Sequence, residues 1–127
     1  MYNGYRLKIN GYIIENKNIA RGSYSIIRKR RVIASYYDAA GYKHEELSRR
    51  ETHDITFTIR EMSDAEYNSV IRPALEKTDW TEVEYWDDIK QEYGIGYFKI
   101  KEYTLSHENA LKNEIRYKST QITLEEY

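Results

Sequence analysis

The chain has 127 residues, with 20 basic and 21 acidic side chains and a formal net charge of −1. That length supports one domain around one core, and the balanced charge gives no bulk field to draw in nucleic acid, a membrane or an acidic partner. There are no cysteines, which excludes disulfides, iron–sulfur ligation, thiol catalysis and thiolate-dependent zinc sites.

No apolar run approaches the roughly 18 residues that span a bilayer, and the opening MYNGYRLKINGY lacks the apolar stretch of a secretory signal. Tyrosine is the outlying number, at 14 residues. A tyrosine ring packs while its hydroxyl stays wet, which suits a protein interface and a two-sided β-sheet equally.

In chain order, Tyr5, Leu7 and Ile9 alternate with polar residues as a first strand. Asn10-Gly11 is a strong hairpin signal because both residues tolerate positive φ, and Tyr12 to Ile14 return. Glu15 to Gly22 is polar and turn-like. Ser23 to Tyr37 is rich in tyrosine and β-branched residues around the basic run Arg28-Lys29-Arg30-Arg31, and Asp38 to Gly41 forms the turn. Residues 42–51 return with many charges and almost no apolar content, so residues 32–51 read as a long hairpin leaving the body or as a flexible loop.

The central stretch is the most informative. Ile55, Phe57 and Ile59 alternate with Thr56, Thr58 and Arg60, the period of a half-buried strand. The period then changes. Ser63-Asp64-Ala65-Glu66 has the form of a capping box, and Tyr67, Val70, Ile71, Ala74 and Leu75 form one helical apolar stripe. The spacing predicts a single helix over about 63–77, bent or interrupted where Pro73 removes a donor. Its stripe serves either as a cover for a sheet or as a docking surface.

Beyond it, Asp79 to Trp86 predicts a strand, residues 87–92 a polar turn, and Tyr93 to Leu105 a return strand in which Gly94 and Gly96 mark a bulge or a close backbone approach. Residues 106–113 read as a loop or one helical turn, and residues 114–125 as the last strand. There is no βαβ alternation and no internal repeat. The fold class expected is α+β: a mainly antiparallel β-sandwich or partly closed β-barrel in a single domain (1–127), with one helix and a long charged hairpin.

No residue set points to a catalytic, cofactor or metal site. His44, His53 and His107 have no partner at metal-ligand spacing and read as surface or strand-edge residues. The acid pairs Asp87-Asp88 and Glu125-Glu126 fall in a turn and at the chain end, and read as solvated charge. Arg28 to Arg31 with neighbouring tyrosines is the one single-stranded nucleic-acid candidate, but alternation sends Arg28 and Arg30 to one face and Lys29 and Arg31 to the other, which splits the patch.

The order of these segments resembles a family of small, uncharacterised phage and prophage proteins, a domain of unknown function found among tail genes. The matching features are Leu-Lys-Ile-Asn-Gly at residues 7–11, the strand Ile55–Arg60 before the Ser63–Glu66 helix start, Arg72-Pro73, the Glu82–Tyr85 strand, Gly96-Tyr97-Phe98, and the ending Thr123-Leu124-Glu125-Glu126.

The arrangement is also similar to tail-tube and distal-tail proteins. The resemblance implies a structural subunit of the virion tail, without enzymatic activity or cofactor, assembled in the host cytoplasm. Its partners would be other tail proteins and further copies in a homo-oligomeric ring. Contacts would come from sheet edges and from the arm at residues 26–51, with Arg28, Lys29, Arg30, Arg31, Tyr36, Tyr37, Tyr42, Arg49 and Arg50 as candidate interaction residues. The alternative is a small β-barrel that binds single-stranded nucleic acid.

Overall fold

Leu7 and Ile9 are fully buried and Lys8 between them is not, so the first strand, β1 (Leu7–Ile9), turns one edge of its pleat to the core. Asn10 and Gly11 adopt φ of 51° and 84° and join it to β2 (Tyr12–Ile14) as the hairpin chemistry requires. The protein is described from a computed structural model, over residues 2–76 and 80–126, with the side chains of residues 31–33 and 47–50 also left aside.

The remaining strands are β3 (Ser25–Tyr37), β4 (Lys43–Ile59), β5 (Met62–Ser63), β6 (Thr81–Asp87), β7 (Glu92–Ile100), β8 (His107–Ala110), β9 (Ile115–Tyr117) and β10 (Thr120–Glu126). They form a seven-stranded sheet in the order β2-β1-β6-β7-β10-β4-β3 and a three-stranded sheet in the order β5-β9-β8. Every strand pairing is antiparallel.

The inner face of the large sheet carries Leu7, Ile9, Ile14, Val83, Phe98, Ile122, Leu124, Ile55, Phe57 and Ile59, and Met62 of β5 joins the same core. The fold is thus α+β and sandwich-like. It does not close into a barrel. β2 and β3 are the edges of the large sheet, and side chains tie the residue before β3 to β6 and to the residue before β1: the Tyr24 hydroxyl donates to the Trp86 carbonyl at 2.9 Å, and the Arg6 guanidinium lies 5.2 Å from the Tyr24 ring centre.

The helix begins where predicted. Ser63 accepts the Glu66 amide at 3.3 Å, and the Ser63 hydroxyl lies 3.4 Å from the Glu66 carboxylate. Regular α-helix holds for α1 (Asp64–Glu66), widens to a π-helical stretch over Tyr67–Ile71, and resumes as α2 (Arg72–Leu75). The interruption lies just before Pro73, which has no amide to give and crowds the preceding turn.

The stripe faces the core. Ile71, Ala74 and Leu75 are buried, and Tyr67 and Val70 pack against the same cluster. Burying Ile71 and Leu75 stabilises by roughly 1.5–3 kcal/mol each before entropy is charged. The expected last helical residue, Lys77, and the expected first residue of the following strand, Asp79, lie outside the described residues.

Four expectations are corrected. The return strand ends at Ile100 rather than Leu105. Residues 107–110 are a strand, not a loop or helical turn. The last segment is two strands in different sheets, β9 and β10, separated by Lys118 and Ser119. The strand Ile55–Arg60 is not separate from the charged return of the hairpin, because β4 runs unbroken through both.

Gly94 and Gly96 mark close approach and no bulge, since β6 and β7 pair in continuous register from Thr81 to Asp87. A Cβ at Gly94 would stand 2.6 Å from Tyr85 Cζ, and one at Gly96 would overlap the Glu126 carboxylate. The Tyr85 ring cannot swing clear, because it packs edge-on against Phe98. Gly94→Ala should therefore destabilise by about 1–3 kcal/mol, and Ser63→Ala by about 1 kcal/mol through the lost cap. Urea unfolding with an unchanged slope and a lowered midpoint would register both.

Candidate interaction arm and the buried cluster at its root

β4 supplies both the core and the arm. It pairs with β10 only from Asp54 to Ile59, whereas its pairing with β3 runs from Lys43 to Thr56. Among the described residues, β4 before Asp54 therefore has β3 on one side and no strand on the other, and β3 pairs with β4 alone. The eleven residues from Lys43 to His53 extend roughly 36 Å at about 3.3 Å each. The ladder shifts register on both sides of Val32. Such an irregularity twists a ribbon and separates its base from its tip.

The tip is held tightly for a polar turn. Asp38 Oδ1 accepts the amides of Ala40 and Tyr42, each at 3.0 Å, and Gly41 takes a φ of 86°. Asp38 Oδ2 lies 2.8 Å from His44 Nε2, and the His44 ring stacks on Tyr36 with centroids 5.1 Å apart. The imidazole partner and the turn amides hold the Asp38 carboxyl below the usual carboxylate range. Tyr36, Tyr37 and Tyr42 are 60%, 70% and 71% exposed, so the tip presents three tyrosine rings to solvent.

The basic run is split and largely paired. Arg28 makes a bidentate contact with Glu51, at 2.6 and 2.8 Å, and Arg30 reaches the same carboxylate at 3.6 Å. Lys29 points to the other face and meets Asp54 at 2.8 Å. The Arg28 hydrogen bonds lower the Glu51 carboxyl and raise the guanidinium. These three cations therefore offer a polyanion little unspent charge, which weakens the nucleic-acid alternative. The side chains of Arg31, Arg49 and Arg50 lie outside the described residues.

At the arm's root the structure places a cluster that the spacing analysis set aside. His53 is 6% exposed, Asp87 3%, Glu126 7% and Tyr85 4%. His53 is therefore not a surface residue, and Asp87 and Glu126 are not solvated charge, although Asp88 beside Asp87 is exposed. Glu126 Oε1 accepts the His53 backbone amide at 2.8 Å and lies 3.1 Å from its Nδ1. The Tyr85 hydroxyl is 3.2 Å from the same nitrogen, and Asp87 Oδ2 is 3.7 Å from Nε2. Burial, with the Glu126 and Asp87 charges adding to it, pushes the Tyr85 hydroxyl up to about 12, so it stays protonated and able to donate.

Three strands that are distant in sequence, β4, β6 and β10, meet here through side chains. The contacts tie the start of the arm to the body. Among the described residues, no group of three or more acidic, histidine or cysteine side chains is arranged to hold a metal ion. Parity was the available signal: His53 shares a face with Ile55 and Phe57, Asp87 with Val83 and Tyr85, and Glu126 with Ile122 and Leu124.

Because the folded Glu51 carboxyl lies below its ordinary value of 4.5, its contribution is complete above that value and is lost as pH falls through the lower, folded one. Acid titration followed by amide exchange should therefore loosen the Ser25–Arg30 ladder, and Glu51→Gln should remove that acid dependence while leaving the core amides protected.

Two solved structures share this architecture. One is a chain in the helically refined, C6-symmetric tail of an empty GTA particle, with a TM-score of 0.59 and 13% identity, covering 100% of this chain and 95% of that chain. The other is a chain in the virion of a native gene transfer agent (GTA) particle, with a TM-score of 0.53 and 11% identity, covering 98% of this chain and 91% of that one. At such identities the likeness is one of fold. No curated protein matches the chain. A family does, along the whole length, and it agrees with the resemblance to a domain of unknown function: over residues 1–127 the chain belongs to the family of unknown function DUF6711.

Proposed function

We propose that the protein is a structural, non-catalytic subunit of a phage-like tail. In this reading it assembles with further copies of itself and with neighbouring tail proteins in the virion, after synthesis in the host cytoplasm. The observation that carries this reading is a fold shared over the full length of the chain with a component of a gene transfer agent tail.

The architecture supplies the physical means. An antiparallel ribbon with a free edge on each side is a template for strand addition. A cyclic arrangement satisfies such edges by pairing them with the next copy and then closing. The tail that the chain resembles has C6 symmetry, and six copies per ring is the arrangement proposed here. The three exposed tyrosines at the arm's tip supply apolar area and hydroxyls to the partner surface, the chemistry favoured where interfaces form.

Light scattering and negative-stain microscopy of the full chain at high concentration test the assembly. The expected result is rings or short tubes. In a companion variant, residues 31–50 are replaced by a short Gly-Ser turn between Arg30 and Glu51, which already face each other in the ladder. That variant should keep its unfolding midpoint within about 1 kcal/mol equivalent and lose assembly. A chain that stays monomeric and binds no other tail component, or a truncated chain that assembles as well as the intact one, would overturn the reading.

A further inference from the structure

Away from the arm, an open cleft of about 600 Å³ lies where β1 and the end of β6 meet the residues preceding β3. Three of its lining residues are aromatic, Tyr2, Tyr24 and Trp86. Tyr2 and Trp86 sit 5.4 Å apart, and behind Trp86 the contacts continue away from the cleft to Tyr93 at 5.1 Å and from Tyr93 to Tyr5 at 5.1 Å, a row of four rings. The row is rigid. Trp86 and Tyr93 are cross-strand partners, and the Tyr93 hydroxyl donates to the Tyr5 carbonyl at 2.7 Å while accepting the Asn3 amide at 2.9 Å. Tyr24 lines the cleft with the Arg6 guanidinium above its ring.

The polar groups at the rim are Arg6, Asn16, Asp88 and Gln91. Arg6 spends its Nε on Asn16 Oδ1 at 3.2 Å, and its two terminal nitrogens have no partner among the described residues. Asp88 accepts the Trp86 indole N–H through Oδ1 at 2.7 Å, leaving Oδ2 available. Gln91 donates to the Asp88 carbonyl at 2.7 Å and keeps its side-chain oxygen as an acceptor.

From this lining we infer that the cleft is a binding site for a neutral saccharide chain. The lining holds one cation and one anion, so its net charge is zero, and a polyanion meets Asp88. Among the described residues no aliphatic side chain lines the cleft, so those residues offer no aliphatic pocket of the kind that holds a lipid tail or a leucine-like side chain. What remains are aromatic faces, whose negative π-clouds receive the polarised C–H bonds of a pyranose ring, the fork of Arg6 terminal nitrogens, which matches a pair of vicinal hydroxyls, and single acceptors on Asp88 and Gln91. The open mouth lets a chain pass across rather than end inside. The size falls within the range of small-molecule sites. The inference stands apart from tail assembly and survives if that reading fails.

Trp86 is the built-in reporter. In the full chain carrying Trp80→Phe, titration with cellotetraose and with chitotetraose should shift and saturate the indole emission for at least one of the two, the pair separating plain glucose units from N-acetylated ones. Gln91→Gly removes a rim group while easing a backbone that sits at a φ of 54°, and should weaken binding about 5–10-fold, the loss of a hydrogen bond or two. Arg6→Lys should weaken it further by removing the fork. Emission unchanged by both sugars, equal binding by uridine monophosphate, or a Gln91→Gly variant that binds as well as the parent would overturn the assignment.

Discussion

Strand β4 keeps its faces from Glu51 to Ile59, where its pairing with β3 and then β10 is regular. Alternate side chains must point to opposite sides of the sheet, so the inward parity that buries Ile59, Phe57 and Ile55 delivers His53, and then Glu51, to the same side. The apolar core therefore passes into a charged interior where β10 leaves off and the arm begins. Glu126 and Asp87 meet His53 there because β10 and β6 obey the same parity. Buried ions tolerate this only when paired and hydrogen-bonded, and Gly96 supplies the room that the Glu126 carboxylate occupies. The arm's direction thus depends on a polar contact set rather than on packing alone.

The arm itself is an ionic ribbon. Among its described residues, cross-strand ionic pairs help to hold the register: Arg28 and Arg30 on Glu51, Lys29 on Asp54, and His44 on Asp38 at the turn. Individually such exposed pairs contribute little. Together with the aspartate-capped turn they favour one register over its neighbours, since a one-residue slip in either direction would take Arg30 off Glu51 and in one direction would set it opposite Arg50. The same pairing accounts for how Arg28, Lys29 and Arg30 sit side by side in a chain whose formal net charge is −1.

Tyrosine does several jobs that the composition left undivided. Tyr85 is buried and polar-bonded, and Tyr24 ties the residue before β3 to β6. Tyr2, Tyr5 and Tyr93 build the aromatic row beside Trp86, and Tyr36, Tyr37 and Tyr42 stand in solvent at the arm's tip. The sheet reading of the enrichment holds for the packed and bridging rings, while the three at the arm's tip are the ones the proposed assembly uses.

Local chemistry by itself determined the hairpin at Asn10-Gly11, the strand through Phe57, the cap at Ser63, the core-facing stripe ending at Leu75 and the turn at Asp38, because each rests on residues within a few positions of one another. The splitting of Arg28 and Lys29 between faces was legible for the same reason. Tertiary structure decided the rest. It divided residues 114–125 between two sheets, made a strand of the polar segment His107–Ala110 by giving it β9 as a partner, and ran the charged return of the hairpin directly into the core strand. It also buried His53, Asp87 and Glu126 together, residues separated by 34 or more positions, whose environment is set by strand order and not by neighbours in sequence. Pairing between distant strands creates those environments, and no local pattern encodes which strand will lie beside which.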